Sequence, residues 1–505
     1  MSVSTGEEKE VVVNESESTE AEVPCGKGSL TAVESTANVQ KSAKHTGHTS
    51  KRRSFLGEVD VLHDSIGKSL LMIIVPLILT QIMVRIYVLT DVIVLGNFGQ
   101  GIAVAATGTT GAIWGLIMLF SSNIAMGADI VVSRTKGEGN PERIQRVIRT
   151  AFSVSVILSL LTTILVFVLA RPLLEITDCP ADIIDNSALY LQILSASIPA
   201  NITFSFMSSV LRATGDMRRL LIYNMVPGLV NVVLNVVLIL VLPNPVAAVA
   251  IASVISPWLA TVALLIRLSK LEYPYRFTPK DAGFSGDVVF KMFKYGIPTA
   301  ISASIVQIVS VQSQSVLNSF GTTAIAGNTA AGEIINFVTM IITAFTTASA
   351  IFMGQNIGAN NRERVLAFYR RALLVSSSVG AIMAAVAIVF GENMVSLIIP
   401  GEYEAIEIAG LRIFYSVILA VPMAIRSVNN GSLQAYGATK LQMANSLIGN
   451  CGLQLIWLNL IFPLNPTIEM LFIYTPIAVA LTAISSSAMV YFFNRRLKHG
   501  KVFKL

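Results

Sequence analysis

Hydrophobic and polar positions alternate along this chain in long blocks rather than residue by residue. Apolar runs of about 20 residues or more recur from residue 69 to residue 493. That length crosses a bilayer as a helix, and the short alternating segments of a β-barrel are missing from the pattern. Twelve spans are predicted, at 69–96, 101–132, 147–170, 187–211, 220–242, 246–267, 292–318, 323–354, 368–390, 406–434, 440–462 and 469–493. Pro76, Pro199, Pro227, Pro298, Pro422 and Pro476 fall in or near them and predict bends. The fold expected is an all-α polytopic membrane protein.

The polar blocks between the runs set the topology. Basic residues crowd alternate connections, as in "SRTKGEGNPERIQRVIR", "RATGDMRR" and "NNRERVLAFYRR", whereas the others carry Glu175, Asp178, Glu402 and Glu404. By the positive-inside rule both termini are expected to be cytoplasmic; the plasma (inner) membrane is the location expected. This asymmetry accounts for the net charge of +6 without a nucleic-acid partner; membrane lipid is the partner expected, with a monomer as the working unit. Residues 1–60, rich in Ser, Thr and Glu, read as a disordered tail, and 494–505 as a basic one. The first residues lack a cleavable signal, so insertion is expected to use the first span.

Three stretches return at an offset of about 222 positions. "VPLILTQIMVRIYVLTDVIVLGNFG" returns as "IPTAISASIVQIVSVQSQSVLNSFG", "KGEGNPERIQR" as "IGANNRERVLA", and "LRATGDMRRLLIYN" as "LQAYGATKLQMAN". Six spans per unit preserve orientation, so two six-helix bundles (61–267 and 292–493) are predicted, related by a pseudo-two-fold axis along the membrane normal, with a linker at 268–291.

No catalytic constellation is evident. Cys25, Cys179 and Cys451 are too scattered for a disulfide framework or a metal site, and His45, His48, His63 and His499 lie in tails or at the membrane edge. "KGEGN" has no following Gly-Lys-Ser/Thr, so ATP drive is not indicated. The protein is expected to be no enzyme and to need no cofactor.

The motifs Pro76…Gln81…Asp91…Gly96…Gly99, Ser133 to Asn140 and Leu211 to Asp216, in this order within a duplicated twelve-span chain, resemble the multidrug and toxic compound extrusion (MATE) family. The resemblance implies a cation-coupled antiporter that expels organic, often cationic, compounds by alternating access. A lipid-linked oligosaccharide flippase of the same broad architecture, or a membrane sensor on a transporter scaffold, are the alternatives.

Asp91 is the candidate with the most at stake. A carboxylate at the centre of a span costs roughly 2.5–3.5 kcal/mol, so it needs a partner, a cavity or a proton. Two readings fit: it rests at the outer headgroups, or it faces a cavity and binds the coupling ion. The resemblance implies the second, because the family's first-span coupling Asp falls here. Tyr87 lies one turn back on the same face. Asn231 and Asn235, spaced i,i+4, place two amides on one face of the fifth span; as glue between helices or as ligands, they need partners. The resemblance matches Asn231 to the family's site Asn, Asn235 to a second Asp of many prokaryotic members, and Ser253 to a frequent Thr. With one carboxylate instead of two, H⁺ is favoured over Na⁺ as the coupling ion, and no metal is expected beyond Na⁺ at Asp91. Gln81, Gln307 and Glu333 are the residues expected to line the substrate cavity, Glu333 attracting a cation. Arg85, about 120° around the helix from Asp91, either pairs across the bundle or snorkels. Asp91's counterpart in the second half is Ser313, so coupling is expected in the first half.

Overall fold

The structure, a computed structural model, describes residues 59–499 apart from 99, 100, 178 and 182; the side chains of 87–89 and 91–106 lie outside the described set. The chain order is α1 (Ile66–Phe98), α2 (Gly101–Glu138), α3 (Pro141–Ile176), α4 (Ile184–Ser195), α5 (Ile198–Thr214), α6 (Met217–Val241) and α7 (Pro245–Ser269). It continues with α8 (Gly286–Asn318), α9 (Thr322–Gly358), α10 (Arg362–Ile398), α11 (Tyr403–Val417), α12 (Ala420–Ala435), α13 (Thr439–Ser446), α14 (Leu453–Ile456) and α15 (Ile468–Lys498). Among the described residues, ten helical segments are long and apolar enough to span a bilayer, and the pairs α4–α5 and α11–α12 bring the count to twelve.

Each bent pair turns sharply, by 42° in α4–α5 and by 47° in α11–α12. Pro199 and Pro422 each follow a break, and proline cannot donate the hydrogen bond that would carry the helix across it. Pro76, Pro227, Pro298 and Pro476 sit inside helices that continue past them.

The duplication extends to the backbone. Gly215 and Gly437, 222 positions apart, both adopt the left-handed conformation, with φ of 84° and 71°. Each ends its helix with the same 6→1 bond, Asp216 N–H to Leu211 C=O and Ala438 N–H to Leu433 C=O, each at or just under 3.0 Å. A β-carbon makes that φ costly, so both repeats keep glycine there.

The halves meet along α2, which packs against both α8 and α9. Gly127 and Gly137 on α2, with Gly296 on α8 and Gly358 on α9, let the backbones approach so closely that a Cβ at any of them would overlap a carbonyl opposite. At the face where the basic connections lie, polar caps cross between the halves. Arg134 Nε donates to Ala435 C=O at 2.8 Å, and Gln355 Nε2 donates to Ala213 C=O at 3.0 Å. Ala213 and Ala435 are again 222 positions apart, so each half caps the equivalent helix end of the other.

Three sequence expectations need correction. Residues 59 and 60, assigned to the disordered tail, are packed. Val59 N–H bonds Gly215 C=O at 3.2 Å, and Val61 C=O accepts from Arg364 Nε at 3.0 Å, so this segment touches both halves. Val59 and Val61 are buried there, and burial of apolar side chains holds the segment down. The predicted linker at 268–291 is shorter, because α7 runs to Ser269 and α8 begins at Gly286. The basic tail from 494 continues as helix α15 to Lys498. The rest of the predicted N-terminal tail lies outside the described residues.

Candidate ion site and central cavity

In the first half, α6 packs between α1 and α7. Asn231 and Asn235 are both buried on it, and Asn235 Nδ2 donates to Asn231 Oδ1 at 3.1 Å. The i,i+4 spacing brings these amides together, one turn beyond Pro227. Ser253 is half-buried on α7 and forms no hydrogen bond among the described residues. The backbone of α1 runs unbroken through Tyr87 and Asp91, but their side chains lie outside the described residues. The structure therefore joins the two amides to each other and sets the three helices of the site side by side.

Between the halves lies a cavity of about 710 Å³. It is lined by α1, α2, α5 and α6 from the first half and by α9, α12 and α13 from the second. Gln81 lines it, together with Asn123, Asn201, Asn224, Gln434 and Gln442. Gln307 and Glu333 do not. Gln307 is exposed on α8, and Glu333 on α9 instead faces Arg85 on α1, with 3.7 Å between charged atoms. Of the two readings for Arg85, the structure supports pairing across the bundle. The pair links the two halves with both side chains nearly half exposed, a setting in which ion pairs contribute at most about 1 kcal/mol.

The cavity also holds a pair that sequence reasoning missed. Arg212 on α5 grips Asp129 on α2 with two parallel bonds, Nε to Oδ1 at 2.9 Å and Nη2 to Oδ2 at 3.0 Å. Their side chains are only 15% and 14% exposed, and an unpaired charge there would be costly. The planar guanidinium fork matches a carboxylate in this two-bond mode, which a lysine could not reproduce. Asp129 in "MGADIVV" carried the signal, since a carboxylate inside an apolar run demands a partner, but Arg212 is 83 residues away. The motif "LRATGD" now resolves residue by residue. Leu211 is core, Arg212 holds Asp129, Gly215 ends α5, and Asp216 caps α6 while binding Arg219 and Arg267.

The second half is built differently at the matching places. The span after α12 contains two π-helical segments, Leu447–Gly452 and Trp457–Ile461. Between them Gln454 Nε2 donates to Ser313, the counterpart of Asp91, at 2.6 Å. Arg426 reaches only neutral groups, Asn450 Oδ1 at 3.2 Å and Thr482 Oγ1 at 3.4 Å. Arg412 bonds Thr475 and stacks over the Phe472 ring at 4.9 Å. Neither arginine forms an ion pair among the described residues.

No group of three His, Cys, Asp or Glu that could hold a metal occurs among the described residues. The only carboxylate lining the cavity among them is the one that Arg212 holds.

Comparison with known proteins places this architecture. The MatE family model matches residues 76–237 and 298–460, once in each half and together more than half of the chain. The probable multidrug resistance protein YoeA of Bacillus subtilis is 24% identical over 352 residues, 68% of this chain and 76% of that protein. The multidrug export protein MepA of Staphylococcus haemolyticus is 21% identical over 66% of this chain and 74% of its own length. Among solved structures, a MOP superfamily transporter from Pyrococcus furiosus, described as having a binding pocket of reversed polarity, superposes with a TM-score of 0.81 at 17% identity, covering 89% of this chain and all of that one. An outward-facing multidrug resistance MATE transporter superposes with a TM-score of 0.78 at 17% identity, over 87% of this chain and 98% of its own. The chain belongs to the MatE family, a family of membrane transporters and not of enzymes.

Proposed function

We propose that the protein is a cation-coupled antiporter, driven by H⁺ or Na⁺, that exports organic compounds by alternating access. The observation that carries this reading is the 710 Å³ cavity, enclosed between two homologous halves that are latched together at the basic face. By the positive-inside rule that face is cytoplasmic, both termini lie there, and the latched state is the one closed to the cytoplasm. The plasma membrane is the location that fits, with the monomer as the transporting unit.

Coupling resides in the first half. Asp91 on α1 takes the ion, and the amides of Asn231 and Asn235 on the adjacent α6, with Tyr87 and Ser253, complete the site. Neutralising the carboxylate removes the cost of its burial and biases the two-state bundle toward one packing. With Asn235 where a second carboxylate would strengthen Na⁺ binding, H⁺ is the favoured ion. A cationic substrate is the class expected; Glu333 becomes available to it when Arg85 lets go. In proteoliposomes, a pH gradient is expected to drive uptake of a fluorescent organic cation more strongly than an equal Na⁺ gradient. Equal rates with and without either gradient would refute coupled antiport.

A further inference from the structure

We propose that the basic face carries a binding site for a phosphate group, presented by an anionic phospholipid headgroup, between the start of α3 and the connection joining the two halves.

A cavity of about 440 Å³ opens there, walled by Gln145, Arg146 and Arg149 on α3 and by residues 273 and 283–285 of the connection. Arg146 and Arg149 are spaced i,i+3 and so share a helix face. The connection is fastened against them. Ser153 Oγ donates to Gly283 C=O at 2.9 Å, and Gly283 lies so near that a Cβ would sit 3.6 Å from Cβ of Arg149. The connection thus packs against the stem of Arg149.

One donor of its guanidinium is nevertheless unsatisfied. Nε of Arg149 is buried without a hydrogen-bond partner, and neither Arg146 nor Arg149 forms an ion pair among the described residues. A buried charged donor left unpaired is unfavourable, so the geometry calls for an acceptor from outside the chain. Glu142 stands in the cavity wall without pairing to either arginine. Asp281 is committed elsewhere. Hydrogen bonds from Thr278 hold its carboxyl below the usual range, and the nearby charges of Arg149 and Arg276 lower it further.

Position identifies the source of the phosphate. The apolar run of α3 starts at Ala151, two residues after Arg149, which sets both guanidiniums at the headgroup level. Tyr273 and Phe284 flank the cavity, 59% and 67% exposed. Aromatic side chains are enriched at the membrane–water boundary, and basic pockets between spans on the cytoplasmic side bind anionic headgroups. A planar guanidinium pair suits phosphate oxygens, whereas a zwitterionic headgroup brings its own cation to the site.

The test titrates the full-length protein in detergent with phosphatidylglycerol and follows bound lipid by native mass spectrometry. Phosphatidylcholine and inorganic phosphate form the control arms. Wild type is expected to hold phosphatidylglycerol, and R146Q/R149Q to hold it on the order of tenfold more weakly. R146K/R149K, which keeps the charge, is expected to retain most of the binding, which separates loss of the site from loss of the fold. Inorganic phosphate is expected not to displace the lipid; displacement that depends on the same two arginines would overturn the lipid as the source. Equal occupancy by phosphatidylglycerol in wild type and R146Q/R149Q, or by phosphatidylglycerol and phosphatidylcholine in wild type, would overturn the site.

Discussion

The two halves share a backbone and differ in what they bury. Where the first half joins Asp129 to Arg212, the second has Ile351 and Gln434 at the positions 222 further on. Where the first has Asp91 on α1, the second has Ser313, bonded to Gln454. The span bearing Asn231 and Asn235 is a regular helix, and its counterpart is interrupted by two π-helical segments. The scaffold therefore does not require acids at these places. A fully apolar residue, Ile351, is buried where Asp129 stands in the first half. The second half keeps cations instead, with Arg412 and Arg426 held by hydroxyls, an amide and an aromatic face.

Substitutions that exchange the chemistry of the halves sharpen this contrast. The largest effect is expected at Asp91. Asp91→Asn should abolish gradient-driven export, whereas Ser313→Ala should leave it within about twofold, since Ser313 bonds only neutral partners. Next comes the buried pair. Arg212→Ala should cost about 3–5 kcal/mol by leaving Asp129 unpaired. Asp129→Ile combined with Arg212→Gln, which copies the second half, should cost much less. Thermal unfolding of both variants in detergent decides it, and equal losses would mean that the cost does not come from leaving Asp129 unpaired.

Smaller shifts are expected at the latch. Gly358→Leu pushes α9 away from α2, and so should populate the state open at the basic face. Spin labels placed at Asn140 and Asn361, in the equivalent connections of the two halves, should move apart; an unchanged distance would show that the glycine crossing does not hold the face shut. The smallest effect expected is at the outer pair. Glu333→Gln removes an ion pair worth at most about 1 kcal/mol, and it should slow export of cationic compounds more than neutral ones.

Much of the architecture was legible in the sequence, because a span of lipid-facing helix must satisfy its backbone internally and be about 20 apolar residues long. Every predicted span lies within or close to an observed helix, and the prolines at 199 and 422 foretold bends where the α4–α5 and α11–α12 pairs turn. The site was less legible. The contact between Asn231 and Asn235 was legible because a helical period places them together. Asp129 was missed because its partner is 83 residues distant, a contact that only packing creates. Gln307 and Glu333 were assigned to the cavity from their polar character and span position, and neither says which way a helix is rotated. The docking of Val59 and Val61 was hidden because the stretch "FLGEVDVL" that holds them is too short to show a helical period.

Asp91 and Ser313 carry the central difference between the two halves. The most direct measurement is export of a fluorescent organic cation by proteoliposomes under an imposed pH gradient, comparing wild type, Asp91→Asn and Ser313→Ala. The account predicts that Asp91→Asn falls to the rate seen without a gradient while Ser313→Ala keeps the gradient dependence of wild type. Gradient-driven export that survives in Asp91→Asn would contradict it.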